Sequence, residues 1–304
     1  MTPSWINKLQ NHGQLNHDVP MSAHTTLQIG GVADYFFKPH SQQDLIASIG
    51  NIPAEIPIMP LGRGSNLLVH DLGIRGVVLD LGNCNFAEIS QHHVTAQAGV
   101  RMGKLSQMCA NHGLTGLEFM ATVPGDLGGG VAMNAGAFGQ QLSDHLLAIT
   151  LLNRQGTSYQ IMRQDLKMSY RHTQLPQSSI ILSAEFELPA DEPEEIRQRM
   201  RGFRQKRSAT QPLSQPNCGS VFKNPPGDFS ARLIEAVGLK GHQIGQARIS
   251  SVHANFIVNE GGATSADVRA LIALIQMRVA QQFSITLEPE VRFIDVWQGD
   301  DHAT

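Results

Sequence analysis

The sequence predicts an α+β protein that divides into two or three domains. A chain of 304 residues can bury a large core and exceeds the usual size of one domain. Short apolar stretches typical of strands alternate with segments in which apolar residues recur every three or four positions, as in helices. Two glycine-rich stretches, residues 62–66 and 116–139, interrupt this pattern. They are the first candidates for a functional site.

Composition and charge narrow the possible functions. The formal net charge of −3 gives no reason to expect a nucleic-acid or membrane partner. No apolar run approaches the roughly 20 residues that span a bilayer, and the N-terminus lacks a signal pattern, so we expect a cytoplasmic protein. Cys84, Cys109 and Cys218 are an odd, widely spaced set, and the histidines lack H-E-x-x-H spacing. We therefore expect neither a disulfide framework nor a metal site.

The first third of the chain leads into the shorter glycine-rich stretch. We predict a strand at Val32–Phe37, a helix around Asp44–Ile49 capped by Ser41, and a strand at Ile56–Leu61. That last strand continues into Gly-Arg-Gly-Ser-Asn at 62–66, where N–H groups can form a nest for a phosphate or diphosphate. The motif is neither a P-loop nor a G-x-G-x-x-G fingerprint. A tight hairpin-like turn is the alternative.

The longer glycine-rich stretch follows strands at Arg75–Leu81 and Val94–Val100 and a helix closed by Gly113. Cys109 lies on the apolar stripe of that helix, so we assign it to the core rather than to a nucleophile. One glycine suffices for an ordinary turn, whereas residues 125–139 contain six. This density indicates a backbone packed against a bulky group, with N–H groups free to bind it. The alternative is a crowded internal turn.

The second half of the chain continues the mixed pattern. Strands are predicted near 146–152, 158–162 and 180–188, and Pro193 begins a helix rich in arginine and lysine. Most of these cations suit a solvated face, and those at the helix end can meet an anionic substrate. Further on, we predict a strand at His253–Asn259 and an amphipathic helix capped by Ser265.

Motifs from about residue 20 to the C-terminus resemble, in order, those of the UDP-N-acetylenolpyruvoylglucosamine reductase (MurB) family. The motifs are Ser22-x-His-Thr-Thr with Ile29-Gly-Gly, Gly62-Arg-Gly-Ser-Asn-Leu-Leu-Val, Gly113-Leu-Thr-Gly-Leu-Glu-Phe, Met133-Asn-Ala-Gly-Ala-Phe-Gly, Tyr170-Arg171, Gly219-Ser-Val-Phe-Lys-Asn-Pro, His253-Ala-Asn-Phe-Ile-Val-Asn and Glu288-Pro-Glu-Val. No long insertion separates Arg171 from Ser220, so the chain resembles the shorter, second type of the family.

The resemblance implies a flavoenzyme of peptidoglycan precursor synthesis. Its expected fold is α+β, with a two-part FAD-binding domain of the vanillyl-alcohol-oxidase type and a C-terminal α/β substrate-binding domain. The expected boundaries are 1–82 (with a lead-in over 1–20), 83–190 and 191–304. NADPH would reduce non-covalently bound FAD, and the flavin would reduce the enolpyruvyl ether to UDP-N-acetylmuramate. A monomer without nucleic-acid or membrane partners is expected.

The resemblance also assigns residues to the cofactor. The expected FAD-binding residues are His24, Thr25, Thr26, Gly62, Arg63, Gly64, Ser65, Asn66, Gly125, Gly128, Gly129, Asn134, Gly136 and Ala137. One residue departs from the family pattern, because Asp126 stands where a threonine usually faces the phosphate region of the flavin. An acid there would repel the phosphates.

For the chemistry, the resemblance implies three catalytic residues. Hydride from flavin N5 would add at C3, leaving an enolate that Arg171 and a protonated Glu290 would stabilise. Ser220 would give the proton to C2. Tyr170, Arg207, Lys223 and Asn224 are the expected substrate-binding residues. Two alternatives stay open: another oxidoreductase of the same flavin superfamily, and a flavin-binding protein without catalysis.

Overall fold

The computed structural model describes residues 3–295, which form seven α-helices, eighteen β-strands and four short 3₁₀ helices. The helices are α1 (Ser4–Gln10), α2 (Gln42–Ile49), α3 (Met102–Asn111), α4 (Leu127–Ala132), α5 (Pro193–Thr210), α6 (Ser230–Ala236) and α7 (Ser265–Phe283). The 3₁₀ helices are Met21–His24, Glu118–Thr122, Leu142–Asp144 and Arg163–Asp165.

The strands are mostly short. They are β1 (Gly13–Pro20), β2 (Val32–Pro39), β3 (Ile58–Leu61), β4 (Leu67–Val69), β5 (Ile74–Asp80), β6 (Ala87–Ser90), β7 (His93–Gln97), β8 (Gly136–Ala137), β9 (Gln140–Gln141), β10 (Leu146–Leu152), β11 (Ser158–Met162), β12 (Met168–Ser169), β13 (His172–Thr173), β14 (Ile180–Glu187), β15 (Gln243–Ile244), β16 (Ala247–Ile249), β17 (Ile257–Asn259) and β18 (Arg292–Ile294).

The described residues divide into two compact units. The first unit contains residues 3–17, 35–62 and 76–206, and the second contains 18–34, 63–75 and 207–295. The expected division at 82/83 and 190/191 stays a prediction, and its outer ends, residues 1–2 and 296–304, lie outside the described part of the chain.

The first unit is built on a five-stranded antiparallel sheet in the order β11-β10-β14-β7-β6. Strands β10 and β14 lie inside this sheet and contribute buried apolar side chains to the core. Parallel pairing of β3 with β5 matches Ile58 with Val77 and Leu61 with Asp80. Helix α2 begins where the sequence predicts, because the Ser41 hydroxyl accepts the Asp44 N–H.

The second unit packs α6 and α7 with the three-stranded sheet β15-β16-β17. The predicted apolar face of α7 is confirmed, since Val268, Leu271, Ile272, Ile275 and Val279 are all buried. The predicted cap is wrong by one residue. Thr264 holds the N-cap position and forms a capping box with Asp267, whereas Ser265 is the first helical residue.

The predicted strand at His253–Asn259 is also shorter than expected, because only Ile257–Asn259 is extended. The Ser250 hydroxyl accepts the N–H of Val252, which bends the chain before the strand. Ring Nδ1 of His253 accepts the N–H of Asn255 in the same way. These local hydrogen bonds compete with the strand ladder and delay its start.

Candidate active site

The glycine-rich run 125–139 contains helix α4, and its glycines have different roles. The N–H of Gly128 donates to the Ala98 carbonyl at 2.8 Å. A Cβ on Gly128 would lie 2.9 Å from the Ala98 Cβ, closer than real side chains approach. Gly128 is therefore needed for packing, and the expectation that the run leaves its N–H groups free is wrong at this residue.

Gly129, the next residue, is exposed, and a Cβ there would meet no protein atom within 4 Å. Gly125 precedes it with a φ of 122°, a conformation that favours glycine. The exposed backbone at Gly129 thus has room beside it for a bulky group. Asp126 lies between these two glycines with 6% of its surface exposed, and a Cβ on Gly62 would lie 3.3 Å from its Oδ2.

Two short hairpins follow, and they position Arg171. The pairs β8–β9 and β12–β13 are each joined by two residues, Phe138-Gly139 and Tyr170-Arg171. Arg171 has a φ of 58°, which is costly for an arginine and is common at functional sites. Its Nη2 donates to the Gly136 carbonyl at 2.7 Å, and its guanidinium carbon lies 4.9 Å from the centre of the Tyr170 ring.

The side chain of Asn134 forms hydrogen bonds to both hairpins. It is 1% exposed, and its Nδ2 donates to the Ser169 carbonyl at 3.0 Å and to the Gln141 Oε1 at 3.1 Å. Its Oδ1 accepts the N–H of Ser143. The side chain of Asn134 thus serves to order both hairpins, which also contain the half-buried Ala137.

In the second unit, residues 63–66 pack on the segment that begins with His24. Gly64 has a φ of 61°, and a Cβ there would lie 2.3 Å from the His24 carbonyl oxygen, so only glycine fits. The N–H of Thr26 donates to the Gly64 carbonyl, and the Thr26 hydroxyl donates to the Asn217 carbonyl at 2.7 Å. Thr25 is buried, and its hydroxyl bonds the backbone of Ile29. The hydroxyls of both threonines therefore order the loop itself.

The other residues of the Gly-Arg-Gly-Ser-Asn motif differ in their exposure and contacts. Arg63 is exposed and Ser65 is half-buried. The Nδ2 of Asn66 donates to the Glu290 carbonyl at 3.0 Å, and the Asn66 carbonyl accepts the N–H of Arg292.

Ser220 and Glu290 lie on neighbouring stretches of backbone. Gly219 has a φ of 80° and turns the chain just before Ser220. The carbonyl of Val221 accepts the N–H of Glu290 at 2.8 Å, and the N–H of Val221 donates to the Asn255 carbonyl at 2.9 Å. Hydrogen bonds at both the N–H and the carbonyl of Val221, the residue after Ser220, therefore hold this segment in place.

Asn255 is the residue that the sequence reasoning missed. It is 4% exposed, and its side chain bonds both the N–H and the carbonyl of Phe222, at 3.0 and 2.8 Å. This contact fixes the loop that carries Ser220. The available signal was a polar residue inside an otherwise apolar strand pattern, since a buried amide needs partners.

The predicted substrate-binding residues have these surroundings. Lys223 Nζ lies 2.5 Å from the Glu288 Oε1, and Asn224 Oδ1 accepts the N–H of Ser230 at the start of α6. Nε of Arg207 donates to the Gln211 Oε1 at 2.9 Å, and burial lowers the pKa of this guanidinium. Tyr170 is 47% exposed. Their contact with substrate stays a prediction.

The cysteines are not nucleophiles. Burial raises the pKa of the thiol to about 11 at Cys84 and to about 12 at Cys109 and Cys218, so all three stay protonated at neutral pH. The placement of Cys109 in the core is confirmed.

The first unit therefore brings together Arg171, Tyr170, Asn134 and Gly136, and the second brings together Ser220, Glu290 and Asn66. Among residues 3–295, no group of three or more His, Cys, Asp or Glu side chains could hold a metal ion. None of the helices within that range is long and apolar enough to span a membrane.

Two family models match the chain. Residues 33–161 match an FAD binding domain, and residues 211–294 match the C-terminal domain of UDP-N-acetylenolpyruvoylglucosamine reductase. The predicted fold class, an FAD-binding α+β domain followed by a substrate-binding domain, is confirmed.

Individual relatives agree with these matches. A UDP-N-acetylenolpyruvoylglucosamine reductase from Alkalilimnicola ehrlichii is 41% identical over 93% of this chain and 95% of its own length. One from Listeria monocytogenes is 40% identical over 95% of this chain and 99% of its own. The crystal structure of the Thermus caldophilus reductase is 33% identical, with a TM-score of 0.81 over 94% of this chain and 99% of that one. The chain belongs to the UDP-N-acetylenolpyruvoylglucosamine reductase family of FAD-dependent oxidoreductases.

Proposed function

We propose that this enzyme reduces the enolpyruvyl ether of UDP-N-acetylenolpyruvoylglucosamine to the lactyl ether of UDP-N-acetylmuramate, with NADPH as reductant, in the cytoplasm. The identity of 41% with such a reductase over nearly the whole of both chains is the main support. FAD, held by residues of the two glycine-rich stretches, would supply the redox chemistry by accepting electrons from NADPH and giving a hydride from N5 to C3 of the enolpyruvyl group.

Arg171 and Glu290 stabilise the charge that develops on the substrate. Addition at C3 leaves an electron pair that spreads from C2 into the carboxylate, and a guanidinium fork matches a carboxylate. The Gly136 carbonyl and the Tyr170 ring both contact the Arg171 guanidinium, so its orientation is set before substrate arrives. Glu290, when protonated, is a second hydrogen-bond donor for the developing charge.

Ser220 supplies the proton to C2. Its O–H bond breaks as the C2–H bond forms, and the resulting alkoxide regains a proton from solvent. A serine is a weak acid in water, but an enolate carbon is basic enough to take its proton. The backbone contacts of Val221 with Glu290 and Asn255 support this role, because they hold Ser220 beside Glu290.

The test separates the two halves of the reaction. The purified protein should show a flavin spectrum and oxidise NADPH in the presence of UDP-N-acetylenolpyruvoylglucosamine. Ser220→Ala should keep flavin reduction by NADPH but slow its reoxidation by substrate about 10²- to 10⁴-fold, the usual contribution of a general acid. Ser90→Ala, on exposed strand β6, is the matched control and should keep both rates.

Two results would contradict the proposal. A colourless protein that cannot be loaded with FAD would exclude the enzyme. Equal loss of both half-reactions in Ser220→Ala would exclude Ser220 as the proton donor.

A further inference from the structure

Phe138 occupies the first position of a tight hairpin turn, where a phenylalanine is unusual. It and Gly139 form the two-residue turn between β8 and β9, and both have positive φ, 55° and 82°. A hairpin turn of this kind takes asparagine, aspartate or glycine at its first position. A bulky aromatic residue with positive φ is a strained exception, and such exceptions cluster at functional sites.

The ring of Phe138 is held in place and partly exposed. It stacks on Phe203 of α5 with a centroid distance of 4.3 Å and an angle of 2° between the planes. The Lys206 ammonium lies 5.7 Å from its centroid, one helical turn after Phe203. Phe138 nevertheless keeps 37% of its surface exposed. The result is a stacked aromatic pair that stays partly exposed at Phe138, with a cation over the Phe138 ring.

The hairpin that carries this ring is held by side-chain hydrogen bonds, one of which comes from Arg171. Asn134 bonds Gln141 of β9, and the Gly136 carbonyl of β8 accepts the hydrogen bond from Arg171. The ring is thus fixed relative to a residue proposed to bind the substrate carboxylate. A fixed aromatic surface loses little conformational freedom when a ligand stacks on it.

We propose that Phe138, Phe203 and Lys206 form a platform for the base of a nucleotide. An aromatic face stacks on any planar base, and the Lys206 ammonium complements the phosphates that the ribose carries. This inference rests on the proposed function, which supplies two ligands of this chemistry: NADPH, and the uridine diphosphate end of the substrate. An isolated hydrophobic contact would need neither the strained turn nor the cation.

The experiment measures nucleotide binding to the FAD-loaded enzyme by calorimetry, with NADP⁺ and UDP as separate probes. Phe138→Asn places a preferred residue in the turn, so the melting temperature should stay close to that of the wild type. Loss of base stacking should weaken binding of one probe at least about fivefold. Phe138→Tyr keeps the aromatic face and should bind like the wild type. Lys206→Gln, on exposed helix surface, should weaken the same probe and reduce its salt dependence.

The results either identify the nucleotide that binds the platform or refute the proposal. Weaker NADP⁺ binding identifies the dinucleotide as its ligand, and weaker UDP binding identifies the substrate. Unchanged affinity of Phe138→Asn and Lys206→Gln for both probes overturns the proposal, and a lower melting temperature with unchanged affinities would show that Phe138 only anchors the hairpin. Failure to reduce the enolpyruvyl ether would refute the proposed function instead, because binding is read without turnover.

Discussion

Two adjacent glycines, Gly128 and Gly129, give a direct test of how the glycine-rich run works. Both are assigned to the FAD site, but only Gly128 packs tightly inside the protein. We predict that Gly128→Ala lowers stability, whereas Gly129→Ala keeps stability and lowers the affinity for FAD.

The magnitudes follow from the surroundings of each Cβ. On Gly128 it would lie 2.9 Å from the Cβ of Ala98 and 3.4 Å from its carbonyl oxygen. Neither atom ends a flexible chain, so the backbone must shift, at the cost of about 1–3 kcal/mol that overpacking brings. On Gly129 it meets nothing within 4 Å. Alanine also favours a helix over glycine by about 0.5–1 kcal/mol, so the apo protein gains slightly or stays unchanged.

Thermal unfolding of the apo proteins and titration of FAD by its fluorescence measure the two effects separately. Gly128→Ala should melt about 2–12 °C lower, from a cost of about 1–3 kcal/mol and the roughly 2–4 °C per kcal/mol that holds for chains of about 150–250 residues. Gly129→Ala should bind FAD about tenfold more weakly at an unchanged melting temperature, because a methyl group pressed against the cofactor costs roughly 1–3 kcal/mol. Wild-type FAD affinity in Gly129→Ala would refute the assignment of this open face to the cofactor.

Three further predictions concern single side chains. Glu118→Gln should lower stability by about 2 kcal/mol, since Glu118 is 2% exposed and Arg199 bonds it at 2.9 Å from a partly solvated position. Burial alone would raise the pKa of Glu118, but hydrogen bonds from Thr115, Gly116 and Arg199 lower it below the usual value. The ionised Glu118 therefore stabilises the protein above the usual carboxyl pKa, and this stabilisation is lost as pH falls through the lowered pKa. Urea titrations of the wild type and the variant should accordingly converge in acid. Thr264→Ala should cost about 1 kcal/mol in the same assay by removing the cap of α7, and a cost below about 0.3 kcal/mol would contradict the capping role. Asp126→Asn should tighten FAD binding in the fluorescence titration, and more so at low salt, if the carboxylate repels the phosphates; equal affinity would place it away from them.

Local periodicity predicted most of the elements, and the errors have local causes. The stripe of α7 fixes its buried face because residues three and four apart share one side of a helix. The cap was misplaced from Thr264 to Ser265 because both residue types cap well, and only the backbone angles decide which one leaves the helix. The strand ending at Asn259 is shorter than predicted because hydrogen bonds at Ser250 and His253 hold the preceding residues in a turn.

The candidate site was predicted from motifs, but not the roles of its neighbours. Arg171, Ser220 and Glu290 were named from their place in the family pattern. Asn255 was missed, although its two bonds to Phe222 hold the Ser220 loop, because its partners are 33 residues away. The expectation of a free N–H at Gly128 failed for the same reason, since the Ala98 carbonyl is 30 residues away.

By itself, the sequence determined the α+β class, the FAD-binding and substrate-binding parts, and the family to which the chain belongs. These depend on neighbouring residues and on motifs read in order. Only the tertiary structure decided that Phe138 stacks on Phe203 of α5, that Gly128 packs against Ala98 while Gly129 stays open, and that Cys84 and Cys218 are buried. Each of these depends on which distant segments the fold brings into contact, and burial and long-range contacts are set by the packing of whole elements.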